Sequence, residues 1–276
     1  MKLDVIKLDA SKAGSVDVSD LVFGIEEMSR AFETRTSSLI IAAVIAAGLT
    51  SLALMGNYAY FGSSAMSLSR GADWLAIPVC GVVGGLAGGL FSRIVITMAR
   101  GFAHPVGRAI KEYPLSFALA CGLAVAICGL VSGDTIYGTG YAQVKAALVG
   151  GIPLPWSFGV LKLVATTFST ISGIPGGIFS PSLAVGAGIG ANLASLFPSA
   201  PLGPIMLLGM VSYFAGVVQA PITAFVIVIE MTDNNAMVIP LMAAALIGYL
   251  ASRLICPEGI YHALSKGFLR AETASP

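Results

Sequence analysis

Between Lys162 and Glu230 the chain carries no charged residue, yet Gly and Pro interrupt this apolar tract repeatedly. In hydrocarbon every backbone N–H and C=O must find a partner. A Gly/Pro-rich interruption therefore persists only inside protein or beside a wet cavity. The tract marks a helical membrane protein with at least one broken helix. Its sharpest interruption is Ser172-Gly-Ile-Pro-Gly-Gly-Ile-Phe-Ser-Pro181. A helix start follows: Pro181 suits an early helical position, and the run from Ser182 to Ala194 holds no breaker stronger than Gly. A helix that begins within the membrane turns its first N–H groups and its positive dipole end toward the break, which makes an anion site out of backbone. The plainer alternative is a Gly/Pro hairpin between two ordinary spans.

Composition points the same way. Of 276 residues, 56% are hydrophobic and 11% charged, and the mean hydropathy is +0.88. Ordinary globular domains carry about twice that charge. Several tracts reach the ~20 apolar residues that a spanning helix needs, so the expected class is an all-α polytopic membrane protein in contact with lipid. A net charge of +1 offers no nucleic-acid surface. Cys80, Cys121, Cys128 and Cys256 form no CxxC pair and read as buried hydrophobes. His104 and His262 belong to no ligand cluster, and neither a metal nor a cofactor is expected. Ser180 with His262 suggests a serine hydrolase only superficially, because no oriented base accompanies them. The chain is not expected to be an enzyme.

The spans read as Ser37 to Gly56, Trp74 to Phe102, Pro114 to Ser132, Trp156 to Ile171, Ser182 to Phe197, Leu202 to Val218, the Ala220 to Asp233 segment and Ala236 to Leu254. A short helix is expected over Tyr141 to Leu148. Gly84-Gly-Leu-Ala-Gly-Gly89 lets another helix approach closely. Arg30 and Arg35, then Arg100, Arg108 and Lys111, then Arg253, Lys266 and Arg270 fall on alternate loops. By the positive-inside rule both ends of the membrane region are cytoplasmic.

Gly177-Ile-Phe-Ser-Pro181 resembles the Gly-x-Phe-x-Pro motif of the CLC family of chloride channels and proton-coupled chloride transporters. Ser-Gly-x-Pro-Gly-Gly before it and the small-residue helix after it strengthen the likeness. So do Ala220-Pro-Ile-Thr and Glu230-Met-Thr-Asp233. The resemblance implies that the amides of Ile178 and Phe179 help hold a central chloride, with Gly176, Gly177 and Pro181 shaping the backbone. It also implies that the Tyr261 hydroxyl reaches the anion from the cytoplasmic side. A phenol is a neutral donor and holds an anion without trapping it. For Tyr261 the alternative is an interfacial aromatic.

Leu-Val-Phe-Gly-Ile-Glu-Glu-Met, from Leu21 to Met28, is similar to the family segment whose second Glu transfers protons. That position is Glu27; the alternative is a solvated helix end paired with Arg30. The Pro221 helix also ends Ile-Glu-Met, a weak internal similarity of the kind inverted-repeat transporters show. For Glu230 a structural role is expected. The family's corresponding helices lie at a homodimer interface.

The likeness covers Leu21 to about Arg270, the second part of the CLC fold. The family's Gly-Ser-Gly-Ile-Pro and Gly-Arg-Glu-Gly-Pro motifs do not occur as such here. The expectation is therefore an incomplete CLC-type bundle of tilted and broken helices: a leader over 1–20, the membrane region over 21–270 and a tail over 271–276. The leader resembles the opening of a bacterial large-subunit ribosomal protein, which implies a chimera. The expected function is chloride transport by a channel or proton-coupled antiporter in a bacterial inner membrane. The alternative is a non-conducting fragment.

Overall fold

The computed structural model describes residues 2–6, 12–17, 34–56, 59–62, 66–68, 71–101, 110 and 112–265. Near the N-terminus β1 (Lys2–Ile6) pairs antiparallel with β2 (Lys12–Asp17), Lys2 opposite Asp17 and Leu3 opposite Val16. The hairpin lies within the 1–20 leader, apart from the all-α membrane region. The weak alternation of Leu3 and Val5 has the two-residue period of a strand.

All else that is regular among the described residues is helical: α1 (Thr34–Met55), α2 (Ala76–Arg100), α3 (Pro114–Ser132), α4 (Tyr141–Leu148), α5 (Phe158–Ile171), α6 (Phe179–Leu193), α7 (Leu202–Val218), α8 (Pro221–Thr232) and α9 (Val238–Ile255). Residues 260–265 add a further helical segment. Start and stop chemistry is visible in the sequence. Pro114 and Pro221 occupy first-turn positions, where a missing N–H costs nothing. Gly133 ends α3 in the left-handed conformation. Helix α1 begins at Thr34, three residues before the expected Ser37, and α6 moves at both ends. It begins at Phe179, three residues before Ser182, because Pro181 sits comfortably in a first turn that has no internal acceptors to lose.

Helix α7 is the axis. From Gly203 to Val218 every residue is buried, with α2, α6, α8 and α9 packed around it. The crossings depend on small residues. A Cβ on Gly88 of α2 would come within 2.5 Å of Tyr213 O on α7. One on Gly186 of α6 would meet Gly209 O at 2.6 Å, and one on Gly190 would meet Ile205 O at 2.5 Å. Gly248 of α9 faces Ser212 in the same way. Such crossings let backbones touch, which is how helices associate where lipid offers no hydrophobic drive. Hydrogen bonds fix the register: Ser92 Oγ donates to Val217 O at 3.1 Å and Ser252 Oγ to Gly216 O at 2.5 Å.

Among the described residues, three stretches are long and apolar enough to cross a membrane: 72–100, 114–132 and 235–255. Helix α3 shows an outward apolar stripe of Leu115, Leu119, Leu123 and Ile127, spaced to cover one helical face. One end of the bundle gathers Asp73, the 133–140 turn, Ser199 and Asn234. There Ser199 Oγ donates to Asp73 Oδ1 at 2.5 Å and Asn234 Nδ2 to Met66 O at 2.8 Å. The opposite end holds Arg93, Arg100 and Arg253, in the last two turns of α2 and the last turn of α9.

Replacing Gly88 or Gly190 by Val is expected to cost about 3 kcal/mol or more through overpacking. Gly122→Ala on α3, where a Cβ meets nothing within 4 Å, is expected to stabilise by up to about 1 kcal/mol. Thermal melts in detergent followed by helical circular dichroism check both. Equal melting points for Gly88→Val and the unsubstituted chain would disprove the close crossing.

Candidate anion site

Helix α5 stops at Ile171, and the chain does not resume a helix until Phe179. Several local devices make the stop. Ser172 Oγ donates to Ser169 O at 2.7 Å and accepts from the Ile174 amide at 3.3 Å. Gly173, at φ +83°, takes a backbone conformation that other residues adopt only with strain. Pro175 holds Ile174 away from helical geometry. Ile178 then caps α6, accepting through its carbonyl from Ser182 N at 3.1 Å and Ser182 Oγ at 2.6 Å.

Two hollows flank the break. One, of about 220 Å³, is lined by Lys162, Thr166, Thr170, Tyr137 and the backbone at Gly176, Gly177 and Pro181. No atom lies within 4 Å of where a Cβ would stand on Gly176 or Gly177, so their main chain faces the hollow bare. The other, of about 380 Å³, is mainly apolar. It lies among Val95, Met98, Phe117, Ser172, Gly173 and Leu264. Thr170 borders both. The start of α6 is thus a helix N-terminus beside open space within a bundle, and such an end attracts anions through its amides and dipole.

The Phe179 ring meets Phe214 of α7 edge-on, with centroids 4.8 Å apart. That contact anchors the first turn of α6 to the axial helix. Ile178 and Phe179 are half-buried against the core.

Tyr261 lies half-buried on the 260–265 segment, also packed against the core. Leu264, one turn later, reaches the hollow beside Ser172 and Gly173. The approach to this segment is tied down at several points. Gln219, left-handed at the end of α7, donates Nε2 to Cys256 O at 2.6 Å. Cys256 Sγ donates to Glu258 O at 3.2 Å, and Arg100 pairs with Glu258 at 2.5 Å. The ion pair is solvent-exposed and contributes under about 1 kcal/mol. The Gln219 bond matters more, because removing it leaves a carbonyl unmatched.

The structure therefore places Gly176, Gly177, Ile178, Phe179 and Pro181 together at the break, and Tyr261 on a segment whose Leu264 borders it. Glu27 lies outside the described residues. Glu230 is half-buried in the last turn of α8. Ser180 has a buried hydroxyl with no partner among the described residues, and His262 is exposed. Reading motifs missed Lys162. The signal was present, since Lys162 is the one charged residue between Lys145 and Glu230.

A profile described as "Voltage gated chloride channel" matches residues 18–253. The H(+)/Cl(-) exchange transporter ClcA of Yersinia pestis bv. Antiqua is 29% identical over 277 aligned residues, covering 92% of this chain and 55% of that protein. ClcA of Cronobacter sakazakii is 31% identical over 198 residues, covering 68% of this chain and 41% of that protein. Among solved structures, a CLC-type fluoride/proton antiporter superposes with a TM-score of 0.70 at 21% identity, over 90% of this chain and 60% of the other. A eukaryotic CLC transporter gives 0.66 at 18% identity, over 92% and 43%. The structural matches show a CLC-type fold of tilted and broken helices, of which this chain holds part. The chain spans about half the length of the curated relatives it matches.

Gln219→Ala is expected to destabilise by about 1–3 kcal/mol and to speed amide hydrogen exchange across 256–265 selectively. Unchanged exchange there would show that Gln219 does not hold the Tyr261 segment.

Proposed function

Because the chain belongs to the voltage gated chloride channel family and is an integral membrane protein, we propose that it serves anion transport, with chloride resting at the start of α6. The single observation that carries this reading is the first turn of α6. It opens beside the bare Gly176–Gly177 backbone and a cavity, inside a bundle, with no side-chain charge of its own. The amides of Ile178 and Phe179 supply donors aimed by the helix, and the dipole adds positive potential. Neutral donors suit a transported ion, which must leave as readily as it binds. Tyr261 adds its hydroxyl from the side of the arginine-bearing end, which we assign to the cytoplasm.

Proton coupling is the finer part of the proposal. Glu27 is its carrier by likeness to the family motif, and the ClcA relatives are H(+)/Cl(-) exchange transporters by name. The chain works as a homodimer in a bacterial inner membrane, with residues 21–270 as the transport unit and 1–20 apart from it. No cofactor takes part. A competing reading is that this polypeptide by itself moves no anion. Chloride efflux from liposomes holding the purified chain separates the two, and flux no greater than from empty vesicles would sink the transport reading.

Tyr261→Phe should weaken chloride binding by roughly tenfold, the effect of losing one hydrogen bond to a charged partner. Calorimetry reads this directly, and unchanged affinity would remove Tyr261 from the site. Glu27→Gln should abolish proton movement while chloride still flows. Equal proton flux in both forms would refute the coupling role.

A further inference from the structure

Between Asp73 and Arg100 the chain carries one charged residue, Arg93. It lies inside the 72–100 stretch, which is long and apolar enough to cross a membrane. Along α2 it stands about 10 Å before the helix end, at roughly 1.5 Å per residue. A helix dipole rewards cations only within the last turn, so Arg100 meets that need and Arg93 does not. Arg93 is exposed, as are Leu90 one turn earlier and Ile94 beside it. Its guanidinium makes one bond, a long one of 3.5 Å to Ile255 O at the end of α9. Among the described residues no carboxylate pairs with it, whereas Arg100 pairs with Glu258.

The register of α2 against α9 puts this guanidinium at an apolar surface. The two helices run parallel, Gly85 against Gly248 and Gly89 against Ser252. Arg93 then falls level with Ile255, and Leu250 and Leu254 of α9 are exposed nearby. A guanidinium facing hydrocarbon is costly, and a long side chain relieves that cost by reaching for lipid phosphates. Its planar fork of N–H donors matches two phosphate oxygens. Arg253, at the same end, packs over the Tyr249 ring and donates to its hydroxyl at 3.1 Å, again with no carboxylate among the described residues. Two cations there lack a counter-charge, which favours a headgroup of net negative charge over one that brings its own ammonium.

We propose that Arg93 holds the phosphate of an anionic phospholipid in the leaflet at this end of the bundle, with an acyl chain lying along Leu90, Leu250 and Leu254. None of these residues lines either hollow at the break. The site is independent of the anion site and needs only that the chain be an integral membrane protein. An acidic soluble protein fits less well, because the guanidinium projects from within a spanning stretch and is flanked by exposed Leu and Ile.

Native mass spectrometry of the full chain in detergent, with phosphatidylglycerol or phosphatidylcholine added, tests the site. Phosphatidylglycerol is expected to be retained several-fold better. Arg93→Gln should lower that retention about tenfold, the effect of losing a charge-assisted bond. Arg253→Gln removes the same charge and should lower it less than about twofold, because binding rests on the fork at Arg93. Equal losses in the two variants would show diffuse attraction to net charge and overturn the site, as would equal retention of the two lipids. Displacement of phosphatidylglycerol by glycerol phosphate would show that the apolar surface takes no part, and tighter capture of a polyglutamate peptide would make this a protein-facing patch; either would overturn the lipid assignment. Should Arg93→Gln fail to fold, the unsubstituted chain still decides. In phosphatidylcholine vesicles doped with phosphatidylglycerol that carries a photoreactive group midway along its acyl chain, label is expected on the peptides holding Leu90 and Leu250 to Leu254. Labelling there no greater than on the outward face of α3 would overturn the proposal.

Discussion

Where α6 crosses α7, Gly186 and Gly190 lie against Gly209 and Ile205 with main chain facing main chain. Lipid tails are as apolar as Leu, so burying larger side chains there would bring no gain over leaving them in lipid. Contact area and short interhelical hydrogen bonds do the work instead. The α2 glycines repeat the device on another face of α7, and Gly248 of α9 repeats it against Ser212. This set of crossings fixes how far along the axial helix α6 begins. The Phe179–Phe214 contact then holds its first turn in place. Where α6 starts is thus a consequence of glycine spacing two and three turns away.

At the break before α6, helices on both sides give up backbone partners. Ser172 satisfies part of the loss locally, and Gly173 makes the reversal without strain. What remains opens onto hollows on two sides. Residues 173–177 of the break are exposed, and unpaired backbone in a membrane protein survives only where water, ions or protein meet it, so the two hollows and the break belong to one arrangement. Lys162 fits the same logic, since a buried cation beside a helix's positive end adds to its potential.

Polar residues elsewhere in the bundle hold register. Asn192 Nδ2 donates to Trp156 O at 2.8 Å and joins α6 to the approach of α5. Ser252 and Gln219 join α7 to α9 and to the chain leading to Tyr261. Each such bond names one carbonyl on another helix, which gives a bundle of interchangeable apolar faces a single arrangement.

Periodicity and breakers made most of the helices legible in the sequence. Pro114, Gly133, Pro201 and Pro221 bound their helices by rules that act within a few residues, and α3, α4 and α7 fall where those rules place them. The break from Ser172 to Pro181 was legible too, because Gly and Pro constrain the backbone wherever they stand. The hairpin of 2–17 was not, since its alternation is too weak to outweigh its polar residues. Nor were the acceptors of the buried Lys162, the carbonyls of Ile136 and Gly138, which lie 26 and 24 residues away in the chain. Local chemistry thus determined where the chain bends and which stretches are helical. Which glycine meets which, where the hollows lie and what Lys162 faces depend on contacts between segments far apart in sequence, and only the packed bundle could decide them.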